Sequence, residues 1–93
     1  MADAGYVWDE DKYDLARREH DVGFSEVVSA LEDPLALEEL DPQGHWERHL
    51  LVGRAWSGRV LQVIYSDEDL PLVRIVTAFD ANEHWRRSYE RSS

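Results

Sequence analysis

The chain has 93 residues, a length that allows one folded domain, residues 1–93. Its formal net charge is −10 and it contains no cysteine, which excludes disulfide bonds, thiolate catalysis and cysteine-ligated zinc. No run approaches the ~18 apolar residues of a membrane span, and the N-terminus lacks the basic start and apolar core of a signal peptide. We therefore expect a cytoplasmic protein.

The net negative charge of the chain comes entirely from its first 41 residues. Residues 1–41 contain thirteen carboxylates and three basic residues, a balance of −10, whereas residues 42–93 contain seven of each. Nucleic-acid affinity comes largely from neutralising phosphates, so a protein this acidic binds RNA only through a local positive cleft. The acidic half is suited instead to a basic partner.

Two helices are predicted before residue 34. Asp9 is a good N-cap and is followed by acidic residues, which suit the positive end of a helix dipole, so we expect a first helix from about residue 9 to 20. Ser25 is the expected cap of a second, shorter helix. Pro34 disfavours helical geometry at the residue before it, so the second helix is expected to end there.

Strands are predicted in the second half, where the hydrophobic period changes to two. Three runs rich in β-branched and aromatic residues are separated by turn-like segments, which is typical of an antiparallel meander: WERHLLVG, RVLQVIYS and LVRIVTAF. The pattern allows a further edge strand near residues 35–40, before a turn at Pro42–Gly44. With a last helix capped by Asn82, the predicted class is α+β in the order α-α-β-β-β-α, with three to four antiparallel strands.

Arginines among apolar residues mark these strands as a functional surface. The predicted turns place Arg48, Val63 and Arg74 in one cross-strand row, with Arg59 on the same face. An arginine held in a sheet is a common device for binding a phosphate or carboxylate. A slip of one residue in either hairpin would separate the side chains, so the row depends on the register.

Short motifs along the chain carry a resemblance to a known family. They are, in order, YVWDEDK, REHDVGFSE, EDPLALEELDP, ER followed by a glycine, GRVLQVIY, VRIVTA and RRSYE. Together they cover about residues 6–91 and resemble the BrnT family of ribonuclease toxins from bacterial type II toxin–antitoxin operons. The resemblance implies a RelE-like fold, with helices packed on a small antiparallel sheet. It also implies RNA cleavage until a cognate antitoxin, usually a DNA-binding BrnA-like protein, binds the toxin.

The resemblance further implies which residues act on RNA. Cleavage by the 2′-hydroxyl requires a base, an acid and positive charge near the phosphorane, so no metal ion or cofactor is expected. Histidine exchanges protons near neutral pH, and arginine keeps its charge. The matching positions expected to be catalytic are His20, Arg59, Arg74 and Thr77, and those expected to bind substrate are Arg48 and Tyr89.

Several of these residues also have a structural alternative. Arg74 lies between apolar neighbours, so it either pairs with a carboxylate such as Glu47 or opens into a cleft. His20 follows a predicted helix, where a histidine stabilises the C-terminus. Tyr89 would pack with Trp85 against the sheet.

Other aromatic and histidine residues are expected to be structural. Trp8, Trp46 and Trp85 are expected mainly to pack in the interior. His45 and His49 are four residues apart in a predicted strand, a separation of ~13 Å that is too long for a shared metal ion. A zinc site is therefore not expected.

Two positions depart from the family pattern. Glu19 stands where the family usually has lysine, and Phe79 where it usually has arginine, so two positive groups are missing. A catalytically weakened interaction module is therefore the second hypothesis. The third is a nucleic-acid mimic, although a solvated helix face explains the same acidic run more simply. The carboxylates of that run are Asp9, Glu10, Asp11, Asp14, Glu19, Asp21 and Glu26.

Overall fold

One mixed sheet forms the centre of the molecule. The computed structural model describes residues 1–41, 43 and 46–92, and within them the sheet has six strands. The strands are Ala2–Asp3 (β1), Tyr6–Trp8 (β2), Leu37–Leu40 (β3), Arg48–Arg54 (β4), Val60–Ser66 (β5) and Val73–Asp80 (β6). The helices of the same residues are Glu10–His20 (α1), Phe24–Leu31 (α2) and Glu83–Ser92 (α3). Pro42 and Gly44, which begin and end the predicted turn, lie outside the described residues, as does His45.

The strand order is β1-β2-β6-β5-β4-β3, and every neighbouring pair is antiparallel except β2 and β6. The predicted α+β class is confirmed. The predicted element order and the purely antiparallel sheet of three to four strands are wrong, because two short strands precede α1. Tyr6–Trp8 is too short to show a period of two in the sequence. It joins the sheet because Trp8 is buried opposite Ile75, where the indole fills the core.

The helices lie close to their predicted positions, although the caps of α1 and α2 differ from the prediction. The side chain of Asn82 accepts a hydrogen bond from the Trp85 amide at 2.9 Å, which is the expected cap of α3. At the start of α2, however, the cap is Gly23 and not Ser25. The Gly23 amide donates to the carboxylate of Glu26 at 3.5 Å, so the helix supplies its own capping acceptor one turn later.

The register keeps two of the predicted arginines in one row and moves the third. Arg48 pairs with Ser66, which pairs with Arg74, so Val63 is not part of the row. The turn between β4 and β5 is shorter than predicted. Its residue Gly58 has a left-handed φ of 91°, which a tight turn favours and which glycine adopts without strain. In both hairpins Ser66 occupies the position that was predicted for Val63, which is a displacement of β5 by three residues. Because both hairpins share this displacement, Arg48 and Arg74 remain in one row. Because this displacement is odd, the residues of β5 change faces, and Arg59 does not share the face of Arg48.

Helices cover parts of both faces of the sheet. On one face, α1 and α2 enclose a core that includes Trp8, Ala16, Val22, Val27, Leu61, Val63 and Ile75. On the other face, α3 packs over a smaller cluster formed by Val52, Val60 and Tyr89, with Trp85 beside it. Gly53 allows the close approach of α2 to β4, because a Cβ at this position would lie 2.3 Å from the carbonyl oxygen of Ala30.

The tryptophans divide between the core and the surface. Trp8 is buried, and Trp85 of α3 packs against the cluster of Val52, Val60 and Tyr89, so the prediction that they are packing residues is confirmed. The prediction is wrong for Trp46, which is 79% exposed. Trp46 precedes β4, outside the sheet, so the helices that cover the strands do not reach it.

Candidate functional site

Arg59 lies just before β5 and reaches the junction between α1 and α2. The chain leaves α1 through Asp21, which adopts a left-handed φ of 51°. Arg59 Nη1 donates to the Asp21 carbonyl at 2.7 Å, and Nη2 donates to the His20 carbonyl at 3.1 Å. A helix end leaves such carbonyls without partners inside the helix. Arg59 therefore caps the C-terminus of α1.

Two carboxylates accept the remaining hydrogen bonds from Arg59. Asp80 accepts from Nε at 2.9 Å and from Nη2 at 3.1 Å, and Glu26 accepts from Nη1 at 3.1 Å. The hydrogen bond to Asp80 is the main cause that raises the pKa of Arg59. A guanidinium has five N–H donors, and the bonds to carbonyls and carboxylates use all of them. No N–H of Arg59 is left for a phosphate.

Arg74 is also paired, at the opposite end of β6. Its Nε donates to Asp69 at 2.6 Å and its Nη1 donates to Asp9 at 2.9 Å, so the alternative of a carboxylate pair is confirmed with partners other than Glu47. The bond to Asp69 is the main cause that raises the pKa of Arg74. Asp9 makes no side-chain cap on α1 and binds Arg74 instead. Unlike Arg59, Arg74 keeps N–H donors free of protein acceptors among the described residues.

The two residues expected to bind substrate have opposite surroundings. Arg48 is half-buried, and its side chain has no hydrogen bond or ion pair with any residue that the structure describes. Tyr89 is 2% exposed, and its hydroxyl donates to the carboxylate of Asp33. The guanidinium carbon of Arg54 lies 5.6 Å from the centre of the Tyr89 ring. Tyr89 therefore has no exposed ring face for a base, whereas Arg48 is free to meet a ligand.

His20 and Thr77 line one narrow groove between α1 and the second half of β6. The groove has a volume of about 190 Å³, and its other lining residues are Lys12, Leu15, Ala16, Glu19 and Val76. Strand β2 ends opposite Ile75, so the second half of β6 has no pairing strand on that side in the described part of the chain. The structure thus places His20, Thr77 and Lys12 in the lining of one cleft.

The two departures from the family pattern lie beside His20. The carboxylate of Glu19 is 3.9 Å from His20 Nε2. On the other side, the ring of Phe79 is 5.5 Å from the imidazole, at an angle of 49°. The positions where the family usually has basic residues therefore flank the histidine in space, although they are sixty residues apart in the sequence.

Lys12 belongs to the groove but was not among the predicted site residues. Its signal was present in the sequence, because Lys12, Ala16 and His20 follow one another at intervals of four and so share one face of a helix. The side chain of Lys12 has no hydrogen bond or ion pair with any described residue, so its charge is available to a ligand.

The family of the chain follows from most of its length and not from one motif. A family model described as "Ribonuclease toxin, BrnT, of type II toxin-antitoxin system" matches residues 8–84. This chain belongs to the BrnT family. The resemblance predicted from the sequence is confirmed, and membership implies a cognate antitoxin as the partner. A search of curated proteins found no match to this BrnT-family chain.

A second titratable cluster of the BrnT-family chain lies on β3, β4 and the end of β5. His49 Nε2 is 2.7 Å from the carboxylate of Asp67, and the imidazole stacks on Tyr65 with ring centres 5.0 Å apart. The Tyr65 hydroxyl donates to Glu38. Burial, followed by this hydrogen bond, raises the pKa of Tyr65 well above its usual value. Sequence reasoning missed the cluster because its members come from three strands and a loop.

No metal centre is formed by the residues that the structure describes. Among them, no group of three or more histidine, aspartate or glutamate side chains is placed to hold a metal ion. The spacing argument about His45 and His49 is not tested, because His45 lies outside these residues. No described helix of this BrnT-family chain is long and apolar enough to cross a membrane.

Proposed function

We propose that this chain is an endoribonuclease toxin that cleaves RNA in the groove between α1 and β6 without a metal ion. Its fold would be of the RelE type, and it would act in the cytoplasm. Its cognate antitoxin would be a basic, BrnA-like protein that binds DNA. The observation that supports the proposal is that His20, Thr77 and Lys12, from two elements, line one groove in a chain of the BrnT family.

The groove offers a base and a positive charge for RNA cleavage by the 2′-hydroxyl. His20 would take the proton of the 2′-hydroxyl, whose oxygen then attacks phosphorus as the bond to the 5′-oxygen breaks. The ammonium of Lys12 would stabilise the extra negative charge on the phosphorane, and the Thr77 hydroxyl would donate to a phosphate oxygen. The leaving 5′-oxygen would take a proton from solvent water, so the products are a 2′,3′-cyclic phosphate and a free 5′-hydroxyl.

The arginines receive different roles in this proposal. Arg59 would be a positioning residue, because its hydrogen bond of 3.1 Å to the His20 carbonyl holds the end of α1 in place. Arg48 stays a candidate RNA contact outside the groove, since no described carboxylate neutralises it. Arg74 would bind RNA only through the donors that Asp9 and Asp69 leave free.

A non-catalytic interaction module is the second candidate, and the surroundings of His20 favour it. Glu19 and Phe79 replace two positive groups beside the imidazole, which weakens the binding of a phosphate there. The nucleic-acid mimic loses support. Asp9 is bound to Arg74, and Glu26 is buried against Arg59, so neither belongs to an exposed track of charges.

Inducible expression without the antitoxin, followed by analysis of total RNA, tests the proposal. We expect RNA cleavage by the unmodified chain, and a rate about 10²–10⁴-fold lower in His20→Gln, the usual contribution of a general acid or base. His84→Gln is the matched control, because His84 is an exposed histidine on α3. Cleavage by the purified protein should persist when a chelator is added.

The outcomes separate the two candidates. Equal rates in His20→Gln and the unmodified chain would contradict the groove as the active site. Intact RNA with the unmodified chain would favour the interaction module. Activity that appears only in Glu19→Lys or in Phe79→Arg would show that the replaced positive groups are what the chain lacks.

A further inference from the structure

Strand β3 leaves one edge of the sheet open. It is the last strand in the order, and its inner side pairs with β4 from Leu37 to Leu40. The Asp41 amide donates to the Arg48 carbonyl at 3.1 Å, which extends this pairing. In an antiparallel pair, alternate residues direct both backbone groups to the partner strand. The N–H and C=O groups of Glu38 and Leu40 therefore point outward, away from β4.

The side chains along this edge are acidic, except for Leu40, which is apolar and exposed. Glu38, Glu39 and Asp41 have no cationic partner among the described residues. Leu40 is 66% exposed. An open edge of this kind is a template for another strand. A second copy of β3 would place glutamates opposite glutamates, so the charges favour a basic strand and disfavour self-pairing.

A groove at the N-terminal end of β3 continues this surface. Its volume is about 510 Å³, its apolar lining includes Leu35, Ala55 and Trp56, and its charged lining residues are Glu32, Asp33 and Arg54. Trp56 is 71% exposed at the tip of the turn between β4 and β5. An extended chain paired with β3 would pass this groove and could place one bulky apolar side chain in it.

We propose that β3 accepts a basic, extended segment of the cognate antitoxin as a further strand, anchored by an apolar side chain beside Trp56. The outward backbone groups of Glu38 and Leu40 would supply up to four hydrogen bonds, and the edge carboxylates would select lysine or arginine. This inference deepens the proposed function, because the antitoxin is the partner. Three strand spacings of ~4.8 Å separate β3 from β6, so the segment does not enter the groove at His20.

A ten-residue peptide of alternating lysine and valine that ends in leucine is a direct probe. The control peptide has the same sequence built from alternating D- and L-residues, so it has the same charge but cannot form an ordinary strand. By calorimetry, we expect the all-L peptide to bind at least tenfold more tightly. In hydrogen exchange followed by NMR, it should slow the amides of Glu38 and Leu40 at least tenfold.

Variants of the chain separate strand addition from attraction between opposite charges. Glu38→Gln with Glu39→Gln should weaken binding at least fivefold. The matched control, Glu10→Gln with Asp11→Asn, removes the same charge from exposed positions on α1 and should leave the affinity unchanged. Leu40→Pro removes an outward N–H without breaking a bond to β4, and should abolish the slowed exchange at Glu38.

Unchanged exchange at Glu38 and Leu40 in the presence of saturating peptide would overturn the inference. So would equal weakening by both pairs of charge variants, which would mean that the carboxylates only protect the edge from pairing. Exchange does not depend on catalysis. If the unmodified chain leaves RNA intact but the peptide protects both amides, the proposed reaction fails and the docking strand stands.

Discussion

The α1–α2 junction and the β3 edge are both acidic, but only at the junction do carboxylates pair with a cation. At the junction, Glu26 and Asp80 bind the guanidinium of Arg59 at 3.1 and 2.9 Å. Along the edge, Glu38 and Glu39 have no cationic partner among the described residues. The same type of side chain therefore binds a cation in one region and keeps an uncompensated charge in the other.

The comparison shows why net charge along the sequence was an incomplete guide. Arg59 comes from the neutral half of the chain and forms ion pairs with one carboxylate from each half, Glu26 and Asp80. Folding thus uses an arginine expected to bind RNA as a structural clamp. The excess of negative charge is left where no arginine reaches, and β3 is such a place.

The largest expected effect is a loss of stability at the α1–α2 junction. Arg59→Ala should lower the free energy of unfolding by about 2–3 kcal/mol, because it leaves Glu26 buried without its cation and two helix carbonyls without a donor. This loss is smaller than the one expected for a fully buried ion pair, because the Arg59 side chain is 28% exposed. Urea unfolding followed by fluorescence measures it.

Arg74→Ala is the matched control for this prediction. Arg74 also binds two carboxylates, but all three side chains are more exposed than that of Glu26, so its loss should destabilise the fold far less. Equal losses of stability in the two variants would contradict the distinction between a clamp and a surface pair.

The next effect concerns Asp33, which lies close to the acidic edge but whose carboxylate accepts three hydrogen bonds. Burial acts to raise its pKa, but hydrogen bonds from Tyr89 and from the amides of Arg54 and Leu35 outweigh it, so the pKa is below the usual 3.8. Tyr89→Phe removes one of these bonds. It should lower the free energy of unfolding by about 1.5 kcal/mol at neutral pH.

The pH dependence follows from the direction of this shift. The folded chain holds Asp33 charged at a pH where the unfolded chain already binds the proton, so its stabilisation is complete above 3.8 and is lost as the pH falls through the lower, folded value. Unfolding measured between pH 7 and pH 2 should therefore show the difference between Tyr89→Phe and the unmodified chain shrinking at the acid end. A constant difference would contradict the assignment.

The smallest effect is expected at the open edge. Glu39→Gln should change the free energy of unfolding by less than about 0.5 kcal/mol, because the side chain is exposed and unpaired. Any change should be toward higher stability and should vanish in high salt, which screens repulsion between neighbouring carboxylates. A clear loss of stability would show that Glu39 has a structural partner, and the edge would then resemble the junction.

Local patterns predicted much of the fold and part of the site. The acidic start of α1, the proline after α2 and the period of two in β4 to β6 each act within a few residues, so they could be identified without coordinates. The family motifs identified His20 and Thr77, which the structure then places in one groove. Lys12 could have been added from helical spacing alone.

The sequence by itself determined the class of the fold, its main helices and strands, and the family, because these depend on short-range periodicity and on motifs in order. It could not determine the parallel strand β2, the pairing of Arg48 with Ser66, or the acceptors of Arg59. Those features join residues more than fifteen positions apart, and a change of register by one residue exchanges the faces of a strand. For the same reason, only the folded chain shows which carboxylates pair with an arginine and which, along β3, have no cation beside them.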